Sequence, residues 1–191
     1  MNQIVPLIRP RFTEHNGVFV PQAELDFAIP FLGEDIPLYV DPFLMWRSPG
    51  LQDKGLHQVI LGAFNNLGAL SKSGKKEKAI EQLIASSECD EVGLGTSASK
   101  KGMRIGPAKA EEVLGLFERI PYYRDHGFRH FDEGQLFVDR IGKDRISDIA
   151  CNYIKSFLID YTAQECQTLG VELKQALVPN VYNPFSLSFE D

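Results

Sequence analysis

The sequence predicts an α/β or α+β fold: a small mixed sheet packed against several helices, one of them long and close to the C-terminus. Three observations carry this expectation. Residues 144–168 place Ile146, Ile149, Tyr153, Phe157 and Tyr161 at spacings of three and four, with no Pro or Gly until Gly170. Residues 52–70, 75–86 and 108–120 repeat the same helical spacing. Between them lie short β-branched and aromatic runs, each ended by a turn former, which is the pattern of short strands.

Taken in order, residues 1–14 hold Pro6, Pro10, Arg9 and Arg11 and read as an irregular arm. Gly17 precedes a short strand at 18–20, stopped by Pro21. Residues 24–30 alternate partly and fit an edge strand or a turn. The best strand is 36–41, Ile-Pro-Leu-Tyr-Val-Asp, which Pro42 breaks. The four large apolar residues Phe43, Leu44, Met45 and Trp46 then fit core filling better than ligand binding. The helix at 52–70 turns Leu56, Val59, Ile60, Ala63, Phe64 and Leu67 to one side. Its glycines weaken it by about 1 kcal/mol each where exposed, and Gly62 is the position expected to permit close packing. After the linker 71–74, the helix at 75–86 buries Ala79, Ile80, Leu83 and Ile84. Residues 89–94 fit a strand or an irregular link. Pro107 opens the helix at 108–120, Pro121 stops it, and 122–130 reads as a polar, aromatic loop. A short strand at 136–138 leads to the long helix, which Asp144 is placed to cap. Residues 171–177 fit a last strand, and 179–191 form a C-terminal extension rich in turn formers and alternating apolar residues.

The 191 residues fit one domain, with 1–14 and 179–191 as its arm and extension. Apolar residues make up 43% and charged residues 24%, the balance of an ordinary globular chain able to bury a core. The net charge of -6 argues against a broad nucleic-acid surface, but a local basic patch is compatible with it. Four lysines, Lys72, Lys75, Lys76 and Lys78, form such a cluster, with a solvated helix end as the plainer explanation. No apolar run is long enough to span a bilayer, and no signal peptide opens the chain, so a cytoplasmic protein without membrane association is expected. Cys89, Cys151 and Cys166 are widely spaced and read as free thiols in a reducing compartment.

Two constellations carry possible chemistry. The first is the segment 93–109, rich in Gly, Ser and Lys. Gly95, Ser97, Lys100, Lys101, Arg104 and Gly106 are its phosphate-binding candidates, because glycine backbone, hydroxyls, cationic side chains and a helix start at Pro107 all favour an anion. It carries neither a Walker signature nor a dinucleotide fingerprint. Within it, Arg104-Ile-Gly106-Pro-Ala-Lys-Ala110-Glu-Glu-Val113-Leu114 resembles the second half of a helix-hairpin-helix element, whose pattern is Gly-hydrophobic-Gly-x-x-x-Ala-x-x-hydrophobic. The resemblance spans eleven residues, has Arg104 in place of the first glycine, and implies backbone N–H groups that hold a nucleic-acid phosphate.

The second constellation is acidic: Asp26, Asp41, Asp139, Asp144 and Asp148. Asp41, Asp144 and Asp148 are the candidates for holding a divalent ion, Mg²⁺ or Mn²⁺, and with Arg145 for metal-assisted phosphodiester hydrolysis. Plain helix capping explains the same run. Glu172-Leu-Lys174 has nuclease-like spacing on an expected strand, but such tripeptides are common. His15, His57, His126 and His130 show no zinc spacing, though His126 or His130 near Asp132 has the makings of a general base. Tyr122, Tyr123, Phe128 and Phe131 interleave with Arg124 and Arg129, which suits base stacking and equally suits a protein-binding loop or a packed lid.

The leading expectation is therefore a non-catalytic interaction subunit of a larger assembly, with a protein partner or a second copy, possible contact with DNA or nucleotide, and no firmly implied cofactor. The alternatives are a divalent-metal-dependent phosphodiesterase or nuclease acting on DNA, and a small-nucleotide-binding protein.

Overall fold

The computed structural model describes residues 11–52, 54–95, 104–139 and 141–191. It is mostly helical, with one small antiparallel sheet. The helices are α1 (Phe12–His15), α2 (Pro42–Arg47), α3 (Pro49–Gln52), α4 (Leu56–Lys72), α5 (Lys76–Ser86), α6 (Pro107–Leu114), α7 (Leu116–Arg119), α8 (Pro121–His126), α9 (Lys143–Tyr153) and α10 (Lys155–Thr168). Short 3-10 helices cover Gln22–Glu24 and Phe131–Leu136. Strands β1 (Val181–Asn183) and β2 (Ser188–Glu190) pair Tyr182 with Phe189 across a hairpin.

The expected mixed sheet is corrected by this arrangement. Residues 18–20, 24–30, 136–138 and 171–177 form no strand, and 36–41 contributes only an isolated parallel bridge from Ile36 to Leu94. Pro37 removes a donor within that run, and Pro42 follows at once, so no continuous ladder can form. Asp41 and Pro42 instead start α2: the Asp41 carboxylate accepts the Phe43 N–H at 2.9 Å, and Pro42 takes the first helical position.

The core is built around α4, which touches α2, α3, α5, α6 and α9. Its apolar stripe, Leu56, Ile60, Ala63, Phe64 and Leu67, packs against Leu83 of α5, Leu114 of α6, Phe117 of α7 and Ile149 of α9 within one cluster. Four phenylalanines form its centre: the Phe64 ring lies 5.6 Å from Phe117, 5.2 Å from Phe128 and 4.8 Å from Phe131, mostly edge to face. The close-approach glycine is Gly68. A β-carbon there would stand 2.4 Å from the Phe117 ring, whereas Gly62 faces open space.

Two expected helices are broken. The segment 108–120 divides at Gly115 into α6 and α7, and Pro121 opens α8, so much of 122–130 is helix rather than loop. The long helix at 144–168 divides at Ile154, whose backbone (φ -106, ψ 17) leaves the helical region. Neither Pro nor Gly is present there. The flanking turns are tied to different partners: Asn152 donates to the carbonyls of Ser86 and Glu88, and Lys155 reaches Glu91 and Pro179. Ile149 and Tyr153 are buried, but Phe157 and Tyr161 are only half-buried, so the continuous apolar face ends with α9. The C-terminal hairpin completes that side, setting Tyr182 edge-on to Tyr153 at 5.0 Å and Phe189 parallel to it at 5.9 Å.

Candidate functional site

The N-terminal end of α9 gathers several of the residues singled out by sequence. Gly142, in extended backbone, precedes Lys143, and no side chain caps the helix. Asp144 is thus not the cap; it lies in the first turn, where a carboxylate still favours the helix dipole. Ser147 accepts the Val40 N–H at 2.9 Å through its hydroxyl, which fixes the chain just before Asp41 against α9. Asp41 itself is not among the charges that act on Asp148, so the expected grouping of Asp41 with Asp144 and Asp148 is not assembled. The Asp41 carboxylate is engaged at the start of α2.

Asp148 is the unusual group. It is 8% exposed, and no hydrogen bond or ion pair reaches its carboxylate among the described residues. Burial pushes its pKa up to about 7; Glu88 and Asp144 add to the rise, and Arg145 opposes it. Glu88 is held by Arg145 at 3.4 Å and is itself raised, first by burial. Asp35 adds a further negative charge near both. A buried carboxylate poised near neutrality beside other carboxylates is the electrostatic signature of a proton-transfer or cation site, and structural clusters share it. Among the described residues, no three His, Cys, Asp or Glu side chains stand together in a way that could hold a metal ion.

The Gly/Ser/Lys segment begins and ends at this same place. Gly95 donates its N–H to the Ile36 carbonyl, and Ile36 donates to Gly93, both at 2.9 Å. With φ +131, Gly95 adopts backbone that L-residues avoid, and a β-carbon there would lie 3.2 Å from Asp144 Oδ1 and 3.4 Å from Asp35 Oδ2. At the far end, the Ile105 N–H donates to the Ser87 hydroxyl, next to Glu88. Gly106 precedes α6 without a side-chain cap, and Arg104 is exposed. Ser97, Lys100 and Lys101 lie outside the described residues. So does the position where the first helix of a helix-hairpin-helix would end; α6 starts at Pro107 and buries Ala110, Val113 and Leu114.

Behind the cluster, Cys89 and Cys151 are buried and free, as is Cys166 on α10. Burial raises the Cys89 thiol to about 12 and raises Cys151 as well, so neither is a thiolate at neutral pH. Lys155, almost wholly buried, donates to Glu91 Oε2 at 3.0 Å and to the Pro179 carbonyl at 3.3 Å. His130 packs 5.7 Å from His57 and 4.8 Å from Trp46, so these residues form an aromatic cluster.

A second feature is the tip of the C-terminal hairpin. Asn183 Oδ1 accepts the N–H groups of Phe185 and Ser186, while its amide nitrogen donates to both oxygens of Glu190 at 3.1 and 3.0 Å. The Ser186 hydroxyl donates to the same carboxylate at 2.6 Å. These bonds hold Glu190 below the usual carboxylate range. The turn so fixed carries Phe185, 96% exposed, with Leu177 and Leu187 also exposed nearby in sequence.

Sequence patterns had marked Asp144, Arg145, Asp148 and Gly95, and the structure brings these four to one end of α9. They had not marked Asp35 or Glu88, whose roles depend on contacts with residues more than fifty positions away and have no local signal. The histidines and Glu172 form no part of this cluster, and Glu172 lies on no strand. Among the described residues no helix is long and apolar enough to cross a membrane.

Comparison with curated proteins and with solved structures finds no match. The family described as "Domain of unknown function (DUF8370)" matches residues 17–191, which is nearly the whole chain, and the protein belongs to that family.

Proposed function

We propose that this protein is a binding subunit that docks onto a protein partner through the tip of its C-terminal hairpin. The observation that supports this reading is Phe185: a nearly fully exposed aromatic side chain on a turn locked by the Asn183, Ser186 and Glu190 hydrogen bonds. A large apolar ring held in water is unfavourable in the free protein, and a rigid ring loses little entropy when it enters a pocket. Pre-organised aromatic side chains of this kind are the residues that dominate binding energy at protein interfaces. Leu187, on the same turn, would extend the contact. The partner would offer an apolar pocket with a polar rim, on another protein or on a second copy of this chain.

The test places a photo-crosslinking phenylalanine analogue at position 185 and recovers adducts from the native host. A defined adduct that disappears when Leu187→Asp is added to the same chain supports docking. Labelling no stronger than at an exposed polar position such as Glu172 refutes it. Light scattering of the purified protein separates self-association from a different partner.

A second reading is favoured by a separate observation, the unpartnered Asp148 carboxylate at the meeting point of Gly95, Asp144 and Glu88. In it, Asp144 and Asp148 hold Mg²⁺ or Mn²⁺ for phosphodiester hydrolysis, without Asp41, and Arg145 or Arg104 stabilises charge on the phosphoryl group. Calorimetry with Mn²⁺ tests it: saturable binding that Asp148→Asn weakens is required, and no heat of binding removes it.

A further inference from the structure

Two sequence signals about fifty residues apart meet where Lys72 touches α8. The first is the lysine cluster at the turn between α4 and α5, where Lys72, Lys75, Lys76 and Lys78 accompany a single acidic residue, Glu77. The second is the arginine and aromatic segment on and after α8. Lys72 Nζ donates to the Arg124 carbonyl at 2.7 Å and so joins them. The amide of Asn65, on α4, pins the same segment by exchanging hydrogen bonds with the Phe128 backbone at 3.0 and 2.8 Å.

Charge on this face is only partly compensated. Lys76 meets Glu111 at 3.6 Å, and Arg124 is paired with Asp125 at 2.9 Å. Lys72, Lys75, Lys78 and Arg129 are exposed, and among the described residues no carboxylate lies within ion-pair range of them. In a chain of net charge -6, this leaves four exposed cations without an ion pair, with Asp125 acting on Lys72 and His126 from the same segment. Beside them, three flat side chains stack in solvent. The Tyr122 ring lies 4.9 Å from His126 at an interplanar angle of 23°, and the Arg129 guanidinium sits 5.5 Å from the Tyr122 centroid. Tyr122 is 40% exposed, and His126 and Arg129 are exposed as well.

We infer that this face binds single-stranded nucleic acid. Lys72, Lys75, Lys78 and Arg129 follow the phosphate backbone, and an unpaired base extends the stack of Tyr122, His126 and Arg129. Cations alone suit any polyanion; the exposed aromatic stack is what favours a strand with free bases over an acidic protein or a duplex, whose bases are already stacked.

The experiment is fluorescence anisotropy with a labelled oligothymidylate of about 16 nucleotides, the upper end of the usual site size. A labelled duplex and a labelled poly-glutamate peptide are run beside it. Four engaged cations predict a slope of about -3 in log affinity against log salt, from about 0.7 counterions released per phosphate on a single strand. Lys75→Gln with Lys78→Gln is expected to bring that slope to about -1.5. Tyr122→Ala with His126→Ala is expected to weaken the single strand about tenfold, leave the slope unchanged and leave poly-glutamate binding unaffected, the scale of one lost base stack. Unchanged thermal midpoints confirm that these exposed substitutions preserve the fold. No binding to the single strand at about 50 mM salt overturns the inference. So does tighter binding of poly-glutamate than of the oligonucleotide, or insensitivity to the aromatic pair, either of which identifies an acidic protein surface as the ligand.

Discussion

Asp148→Asn is expected to make the protein more stable at pH 8 and to leave it unchanged near pH 4. The wild-type carboxyl has its pKa raised to about 7 from an unfolded value near 3.8, so the native state holds its proton more tightly than the unfolded chain does. Stability from this group is fully present below about pH 4, falls as pH rises through about 7, and is gone at pH 8. Three pKa units correspond to about 4 kcal/mol, and the remaining solvent access of a carboxylate 8% exposed reduces this to about 2 kcal/mol. Asparagine keeps the shape, carries no charge toward Glu88, Asp144 or Asp35, and so should recover that amount at pH 8. For a chain of this size the gain is about 4–8 °C in the thermal midpoint. Scanning calorimetry of both proteins at about pH 4, 6 and 8 with a chelator present measures it. A variant less stable than wild type at pH 8 would show that the ionised carboxylate is held by a cation the protein retains, and the reasoning from burial would fail.

Four further substitutions probe the packing and the buried ion pair. Gly68→Ala should lower the denaturation midpoint: the new methyl would meet the buried Phe117 ring at 2.4 Å, and overpacking of about 1–3 kcal/mol at such contact exceeds the helix-propensity gain of about 1 kcal/mol. Phe157→Ala should cost about 1–2 kcal/mol in urea unfolding, not the 3–5 of a fully buried ring, because Phe157 is half-buried, with Tyr161 stacked at 5.9 Å and Lys54 over its face. Glu91→Ala should destabilise by about 2–3 kcal/mol, since it strands the buried Lys155, whereas Lys155→Met should change stability by less than about 1 kcal/mol; equal losses in urea titrations would show that the pair itself stabilises the fold.

Helical spacing was legible in the sequence because it is a local property. Leu56 through Leu67, Ala79 through Leu83 and Ile146 through Tyr153 each follow one amphipathic stripe, and each stripe is buried. The breaks were less legible. Gly115 divides one helix in a place where its neighbours fit either side, and Ile154 interrupts another because Asn152 and Lys155 find separate partners across the fold. The expected sheet failed for a different reason. Short β-branched runs such as 36–41 have strand composition but no partner long enough to pair with, and composition does not report partners. The strands that do form lie in the C-terminal extension, where Asn183 and Pro184 supply the turn and Tyr182 and Phe189 find Tyr153 to pack on.

The acidic cluster shows the limit of local rules most clearly. In sequence, Asp144 and Asp148 are ordinary first-turn and second-turn residues of an α-helix, and capping explains both. In the fold Asp144 does not cap, and Asp148 is inside, next to Glu88 from the end of α5 and within reach of Asp35 from the N-terminal segment. Burial without a partner makes Asp148 destabilising when ionised, and a structural role alone would be met better by an amide or an apolar residue. Gly95 adds a second departure at the same place, with backbone at φ +131 and a methyl there crowding the Asp144 carboxylate at 3.2 Å. Local rules are broken together at this one point of the fold. The two substitutions there separate the causes. Asp148→Asn tests charge and should stabilise the protein. Gly95→Ala tests space and backbone, and should destabilise it by about 1–3 kcal/mol at pH 4 and pH 8 alike. A pH-dependent loss in Gly95→Ala would instead mean that the glycine serves the ionisation of the carboxylates beside it.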